Sequence, residues 1–511
     1  MKKISKLGLL YIIIISFVIA LPTEIVYGSE VKNTNVLKEN IQSNKDSIDN
    51  GIYNLNYNSN EILSSNGDKI ESFPKKEGKK LSGKFIVVNH EKKNISSRSA
   101  DISLIDAVND RTYPGAIQLA NRDLVHNRPD IIITKRRPIT ISVDLPGMGT
   151  ENKVVVKNPT YSSVSAGIDN LVSKWNEKYS GTHTLPARTQ YSESMVYSES
   201  QLSTALKVNC KTVSSSLGID FSAIAKGQKT VMVASYKQIF YTASVDLPDR
   251  PSDLFGENVT FKDLQNKGVN NENPPALVSN VSYGRTIFVK LESTSKSKNI
   301  KAAFKALLKN GSVENNSEYK DVLNQSTFTA VVLGGDSKEH NKIITNDFNE
   351  IKNVIKSNAE MSAKNPGYPI SYTSVFLKDN KIATINSKTD YVETTSTEYS
   401  SGKIALNHSG AYVAKFYVTW DEVSYDKDGN EVLKHKSWDE NGYNRTAHFY
   451  TEIPLDGNAR NIQVKAYECT GLAWEWWRKV FDEKNVPLTK KSTFSIWGTT
   501  LYPAKSIEVE V

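Results

Sequence analysis

Cysteine is nearly missing: only Cys210 and Cys469 occur in 511 residues. That excludes a disulfide scaffold, so stability must come from packed cores, and the unlike surroundings of the two residues predict two free thiols. Histidine is scarce as well, with seven residues and none paired at metal-ligand spacing. The chain has no His-Glu-x-x-His, no Gly-x-Ser-x-Gly, no Cys-x-x-Cys and no phosphate-binding glycine loop. Metalloprotease, serine hydrolase, redox and nucleotide-dependent readings therefore lack their signatures, and a dispersed carboxylate pair for glycoside hydrolysis has no positive support. Nor is charge of one sign concentrated. The 64 Lys plus Arg and 56 Asp plus Glu leave a net charge of +8, scattered along the chain. The basic groups Lys75, Lys76, Lys79, Lys80 and Lys135, Arg136, Arg137 have no interleaved aromatics, and read as solvated faces rather than a nucleic-acid site. A chain with 38% hydrophobic and 23% charged residues is not a polytopic membrane protein.

Long apolar runs are also lacking, with one exception. Lys2, Lys3 and Lys6 precede an uncharged run from Leu7 to Leu21, shorter than the ~20 residues a spanning helix needs. This reads as a secretory signal peptide, with Val26 and Gly28 at the small-residue positions, so residues 1–28 are expected to be removed. Residues 29–46, thick with Asn, Ser and Lys, read as a flexible leader.

What is present points to an α+β chain with a large antiparallel sheet. Thr230 to Tyr241, Thr286 to Leu291 and Ser326 to Leu333 are rich in β-branched and aromatic residues. Between strands, Asp347 to Ala359 carries Phe348, Ile351, Val354 and Ile355 at helical spacing. From about Ser401 the texture becomes all-β, with strands expected at Tyr412 to Tyr425, Ile462 to Tyr467 and Phe494 to Tyr502. Six of the seven tryptophans lie in that last part, which predicts a chemically distinct β-sandwich domain.

The strongest local signal is Glu468-Cys469-Thr470-Gly471-Leu472-Ala473-Trp474-Glu475-Trp476-Trp477-Arg478. Three indoles within four residues are costly to expose unless they meet something amphipathic, and tryptophan favours the bilayer interface. A core turn is the ordinary reading of a tryptophan cluster. This string, however, resembles residue for residue the undecapeptide of the cholesterol-dependent cytolysins, thiol-activated pore-forming toxins of Gram-positive bacteria. Tyr113 through Pro146, Lys237 to Phe255, Phe328 to Asp336 and Gly410 to Tyr425 resemble the family too, most of all its clostridial, perfringolysin-like branch. The resemblance covers nearly all of the chain after residue 28.

The resemblance implies that Thr500-Leu501 recognises cholesterol, the hydroxyl meeting the sterol 3-OH and the leucine its rings. Ala411 and Ala447 would sit on neighbouring membrane loops. Cys469 would be a free thiol without a catalytic role. Tyr191 and Phe328 would stack between subunits, Gly334-Gly335 would let a covering strand leave the sheet edge, and Glu193 would meet a neighbour's lysine. Asn346 stands where that lysine is expected, which puts the ion pair in doubt and leaves Lys342 as a substitute.

Two segments satisfy two periods at once. Ile300, Ala303, Phe304, Leu307 and Leu308 form a helical stripe, yet Ile300, Ala302, Phe304, Ala306 and Leu308 alternate with Lys301, Lys305 and Lys309. Leu202, Leu206, Cys210, Val213 and Leu217 suit a helix, while Leu202, Thr204, Leu206, Val208, Cys210 and Thr212 suit a strand opposite Lys207, Asn209 and Lys211. Glu199 to Ala225 and Lys298 to Val322 resemble the family's two transmembrane hairpins, each able to supply two strands of ~9–11 residues. A hairpin cannot hide its edges alone in lipid, so assembly must precede insertion.

By resemblance the fold is an elongated, multi-domain MACPF/CDC-like cytolysin, with a central antiparallel sheet flanked by helical hairpin segments and a C-terminal β-sandwich. Domain 1 would comprise residues 47–63, 100–188, 239–284 and 360–383, and domain 2 residues 64–99 and 384–400. Domain 3 would take 189–238 and 285–359, and domain 4 residues 401–511. The expected function is a secreted cytolysin that binds cholesterol-containing membranes, forms a homo-oligomeric ring and inserts a β-barrel. It would not be an enzyme and would use no cofactor, nucleotide, metal or nucleic acid. The competing readings are a sterol-docking module that forms no pore and a secreted lipid hydrolase.

Overall fold

The computed structural model describes residues 27–104, 110–295, 299–310, 316–334 and 343–510. The expected signal peptide lies outside them except for Tyr27 and Gly28, as do Lys298, Gly335 and Lys342. Residues 29–46, expected as a flexible leader, instead belong to a helix, α1 (Tyr27–Tyr53). The reason lies at its far end. Ile48 and Ile52 are buried, Asp49 accepts bonds from the Ser252 N–H and Oγ at 2.8 and 2.9 Å, and Gly51 leaves room for the Phe261 ring. Docking of the last turns supplies the packing that so polar a sequence lacks on its own.

The working parts follow in chain order: β1 (Lys84–Ser99), α2 (Tyr161–Lys178), β2 (Arg188–Met195), α3 (Glu199–Leu206), α4 (Lys211–Leu217), α5 (Phe221–Ala225), β3 (Thr230–Val245), β4 (Pro275–Ser293), α6 (Ile300–Asn310), α7 (Ser317–Asn324), β5 (Ser326–Gly334), β6 (Ile343–Thr345), α8 (Phe348–Lys356) and β7 (Ile385–Ser400). The class is α+β, as expected. The central sheet runs β6-β5-β4-β3 in antiparallel pairs, and β2 pairs with β3 from Arg188↔Ile239 to Met195↔Met232. Thus β2 and the β5–β6 pair lie at opposite edges of this part of the sheet.

Its two faces are covered by different helices. Met232, Ala234, Ile287, Val289, Leu291, Phe328 and Ala330 pack with Ile300, Ala303, Phe304 and Leu307 of α6 and Val322 and Leu323 of α7. The intervening residues Val231, Val233, Phe288 and Val331 point the other way, under Leu202, Leu206, Cys210, Val213 and Leu217. Strands buried on both faces read as continuous apolar runs, which is why β3, β4 and β5 were visible in the sequence. A second core, including Trp175 and Ile168 of α2, fills the upper part of the sheet near Ile141 and Phe240.

β1 and β7 form a ribbon of sixteen paired residues, from Lys84↔Ser400 to Ser99↔Ile385, about 50 Å long. It leads to the terminal sandwich: β8 (Gly402–His408), β9 (Ala414–Tyr425), β10 (Glu431–Ser437), β11 (Phe449–Leu455), β12 (Ala459–Leu472), β13 (Glu475–Val486), β14 (Lys491–Gly498) and β15 (Pro503–Glu510). One sheet runs β11-β8-β14-β15 and the other β10-β9-β12-β13. Their inner faces meet through residues such as Ile404, Leu406, Phe494 and Ile496 against Phe416, Val418, Ile462 and Phe481.

Candidate functional site: an exposed tip and two buried hairpin segments

The pairing of the sandwich strands brings four loops to its end far from the ribbon. His408↔Phe449, His408↔Ile496, Ala414↔Glu468 and Gly498↔Pro503 all lie at that end. The undecapeptide is the β12–β13 hairpin, with Glu468 opposite Arg478, Cys469 opposite Trp477 and Leu472 opposite Glu475. Gly471 has φ +75°, a conformation that glycine adopts without a Cβ penalty, and the register shifts between Cys469 and Leu472. The Thr470 hydroxyl donates to the Glu475 carbonyl and accepts from the Leu472 N–H at 3.0 Å.

That bulge turns the indoles outward. Trp474 is 83% exposed and Trp476 58%, while Trp477 is half-buried beneath the Lys415 ammonium, 4.2 Å from its ring centre. The core-turn reading therefore fails for Trp474 and Trp476. Thr500 and Leu501 are the middle residues of a tight turn closed by Tyr502 N–H to Thr499 O at 3.0 Å. Leu501 is 72% exposed. Ala411 and Ala447 are also exposed, in the loops before β9 and β11.

Arg478 joins two of these elements. Its guanidinium bonds Glu475 at 2.8 Å, Glu468 at 3.2 Å and the Thr500 carbonyl at 3.1 Å. Glu468 is fully buried, and its second carboxylate oxygen has no partner. Burial pushes the Glu468 carboxyl up, opposed by the Arg478 charge. The Ala411 loop is tied in separately: Ala411 N–H donates to Gly498 O at 2.8 Å and Tyr412 Oη to Trp497 O at 3.1 Å. Buried His408 lies at its root, Nδ1 accepting from Gly410 N–H at 3.3 Å and Nε2 facing Tyr412 O at 2.8 Å. Burial holds the His408 pKa down, opposed by the Tyr412 and Ile496 carbonyls beside the ring. Sequence reading missed His408, Tyr412 and Lys415; a buried histidine has no local sequence signature.

Cys469 is partly exposed and Cys210 buried, and both thiols are free. Among the described residues no cluster of His, Cys, Asp or Glu could hold a metal ion, and no helix is long and apolar enough to cross a membrane. The latter says nothing about crossing by strands.

The described parts of the two expected hairpin segments are largely helical here. The stripe Ile300, Ala303, Phe304 and Leu307 is buried in α6 as its spacing predicts. Glu199 to Ala225 forms three short helices, broken at Lys207 with φ +57° and at Gly218 with φ +62°. The α3 end of this segment also touches the ribbon, Tyr197 stacking on Tyr391 with ring centres 5.4 Å apart. Tyr191 and Phe328 are not together. Tyr191 is on edge strand β2, its hydroxyl bonded to Glu193 and its ring 5.1 Å from Tyr236. Phe328 is buried between Phe304 and Phe348 under β6, which pairs with only Phe328, Thr329 and Ala330. Glu193 has a partner within its own chain, Lys305 of α6 at 3.7 Å, and Asn346 follows β6.

An apolar tip on an anchored sandwich, joined by a ribbon to a sheet with helices on both faces, defines a membrane-acting class of protein. Residues 47–399 match the family described as thiol-activated cytolysin, and residues 403–504 its β-sandwich domain. The chain belongs to this family, the cholesterol-dependent cytolysins, which are pore-forming toxins and not enzymes. It is 64% identical over 469 residues to perfringolysin O of Clostridium perfringens, covering 92% of this chain and 94% of that protein. To tetanolysin of Clostridium tetani it is 61% identical over 487 residues, covering 95% and 92%. The crystal structure of listeriolysin O superposes with a TM-score of 0.82 at 45% identity, covering 92% of this chain and 97% of that one. The family uses no cofactor, and cholesterol acts as its membrane receptor.

Proposed function

We propose that this chain is a secreted toxin that docks on cholesterol through Thr500 and Leu501, assembles edge to edge into a ring and converts Glu199–Ala225 and Lys298–Val322 into barrel hairpins. The undecapeptide, Ala411 and Ala447 would enter the interface around the sterol site. Ring growth would join the free edge of β2, with Tyr191 and Glu193, to the edge of β5 next to Phe328 once β6 moves aside at Gly334 and Gly335.

The observation that carries this reading is one of register. The strands β2, β3, β4 and β5 fix which residues face α3–α5. Continuing their alternation into the helical segments puts Leu202, Leu206, Val208 and Cys210 on that same face from β2, and Val213, Leu217, Ile219, Phe221 and Ala223 from β3. From β4 it puts Ile300, Ala302, Phe304, Ala306 and Leu308 there, and from β5 Tyr319 and Leu323. Lys207, Asn209, Lys211, Ser214, Asp220, Lys301, Lys305, Glu318 and Lys320 fall on the other. Ile224, Ala303, Leu307 and Val322 on the polar side, and Lys298 and Asp321 on the apolar side, are exceptions. Four strands with one shared apolar face are what a barrel with an apolar outside and a polar lumen requires. Burial of that face in lipid and closure of the backbone hydrogen bonds would drive insertion.

The test is leakage of large dextrans from liposomes with and without cholesterol, run beside sedimentation for binding, with reduced protein. Cholesterol-dependent binding and leakage are expected. Binding without leakage would leave only a sterol-docking module, and neither would remove the sterol assignment as well.

A further inference from the structure

Arg285 is fully buried on β4, directly opposite Gly334 on β5 and Gln238 on β3. Its Nε donates to Gln238 Oε1 at 2.6 Å. Its terminal nitrogen donates to the carbonyls of Val354 at 3.2 Å and Ile355 at 3.3 Å, and to that of Ser357. The Gln238 amide adds a bond to Ile355 O at 2.8 Å. These carbonyls end α8, where a helix lacks partners of its own and carries partial negative charge. A buried cation therefore caps α8 against the sheet.

The same level of the sheet is crowded by backbone. A Cβ on Gly284 would stand 1.9 Å from Gln238 O, and one on Gly334 3.0 Å from Gly284 O. The other end of α8 is held quite differently. There Phe348 rests on Phe328, ring centres 5.4 Å apart, and β6 pairs with β5 over three residues. One end of the β6–α8 unit is pinned by a guanidinium, and the other by the short strand that covers the sheet edge.

We propose that Arg285 is a positioning residue: it holds the C-terminal end of α8 as a fixed pivot while β6 swings off β5. This rests on the reading that β6 must uncover β5 for the ring to grow. Three paired residues separate readily, whereas the fully buried guanidinium and the Gln238 amide hold the part-buried end of α8 through several bonds at once. The pivot confines the motion to the edge that the next copy of the chain must meet.

The test uses the full chain with Arg285→Met, and Arg285→Lys as a milder variant that keeps the charge but loses the fork. Hydrogen exchange should show at least tenfold faster exchange in 328–330 and in α8, with β3 and β4 still protected. In sedimentation the Arg285→Met chain should self-associate without membranes, and after such incubation should lose at least tenfold in leakage. Binding of fresh protein to cholesterol liposomes should not change, and Arg285→Lys should fall between. Thr329 and Ile344 are directly opposite across β5 and β6, so a Thr329→Cys, Ile344→Cys disulfide in the Arg285→Met chain should restore the monomer. Unchanged exchange with a monomeric chain, or exchange raised evenly through β3, β4 and β5, would overturn the pivot. If the same disulfide in the otherwise unaltered chain still permits rings, the displacement of β6 is wrong and the pivot falls with it. If it blocks rings while Arg285→Met behaves normally, only the pivot falls.

Discussion

The sandwich tip and the central sheet treat their apolar residues in opposite ways. At the tip Trp474, Trp476 and Leu501 stand in solvent on loops braced by Arg478, Thr470 and His408. In the sheet, Phe304, Phe328 and the inner residues of α3 to α7 are hidden, and the helices that hide them carry a second, strand-like pattern. A surface that must find a membrane has to be formed in advance, because ordering it on contact would cost affinity. A surface that must cross one has to stay covered until partners close its edges.

The largest expected effect breaks the tip alone. Thr500→Gly with Leu501→Gly should reduce binding to cholesterol liposomes at least 100-fold while the unfolding transition stays put, since Leu501 makes little packing contact. Retained sterol-dependent binding would remove the cholesterol assignment. Next comes a pair that looks alike in the soluble chain. Lys301 and Ala302 are neighbouring exposed residues of α6, but in the proposed barrel Ala302 faces lipid and Lys301 the lumen. Ala302→Asp should lower leakage at least tenfold with binding intact, a lipid-facing charge costing up to ~2 kcal/mol per strand, whereas Lys301→Asp should be tolerated. Equal effects at both positions would refute the shared face.

A smaller effect sharpens how the tip is braced. Arg478→Met strands the buried Glu468 carboxylate and should destabilise the sandwich by about 1–3 kcal/mol, and Glu468→Gln in the same chain should recover most of it. Because six of the seven tryptophans lie in this domain, fluorescence follows its unfolding within the whole chain. Failure of the second change to rescue would mean that Glu468 is not the strained group.

The smallest is a pH slope. Folded His408 resists protonation, so below its ordinary value of 6.5 the unfolded chain takes up a proton that the folded chain refuses. Sandwich stability is then full above that value and falls as the pH drops, by at most ~1.4 kcal/mol per pH unit for one group. Glu468 acts in the opposite sense: its raised pKa favours the acid side and its contribution fades as pH rises through the folded value. The His408 slope is therefore best measured between pH 7.5 and 5.5 in a Glu468→Gln chain, and it should vanish when His408→Gln is added. A slope that persists would assign it to another group.

Much of the fold was readable because it follows local periodicity. The α6 stripe, the α8 heptad-like spacing and the runs of β3, β4 and β5 each follow from which side chains must be buried. Composition alone describes residues 29–46 as a polar segment and says nothing of the helix that continues into the docked Ile48 and Ile52. At the tip the undecapeptide was legible as a string, and Thr500-Leu501 only through resemblance. That Arg478 binds the Thr500 carbonyl, or that Glu193 is met by Lys305 of its own chain, was not legible, since neither pairing has a sequence spacing that favours it.

The sequence by itself determined the class of elements, the distinct tryptophan-rich terminal domain and the double periodicity of the hairpin segments, because each depends on neighbours a few residues apart. Only the tertiary structure decided which face α3–α5 cover, which edge β6 blocks and that Arg285 caps α8. Those features depend on strand register and on groups brought together from β3, β4 and α8, and a buried charge is tolerable only where the folded chain supplies all of its partners at once.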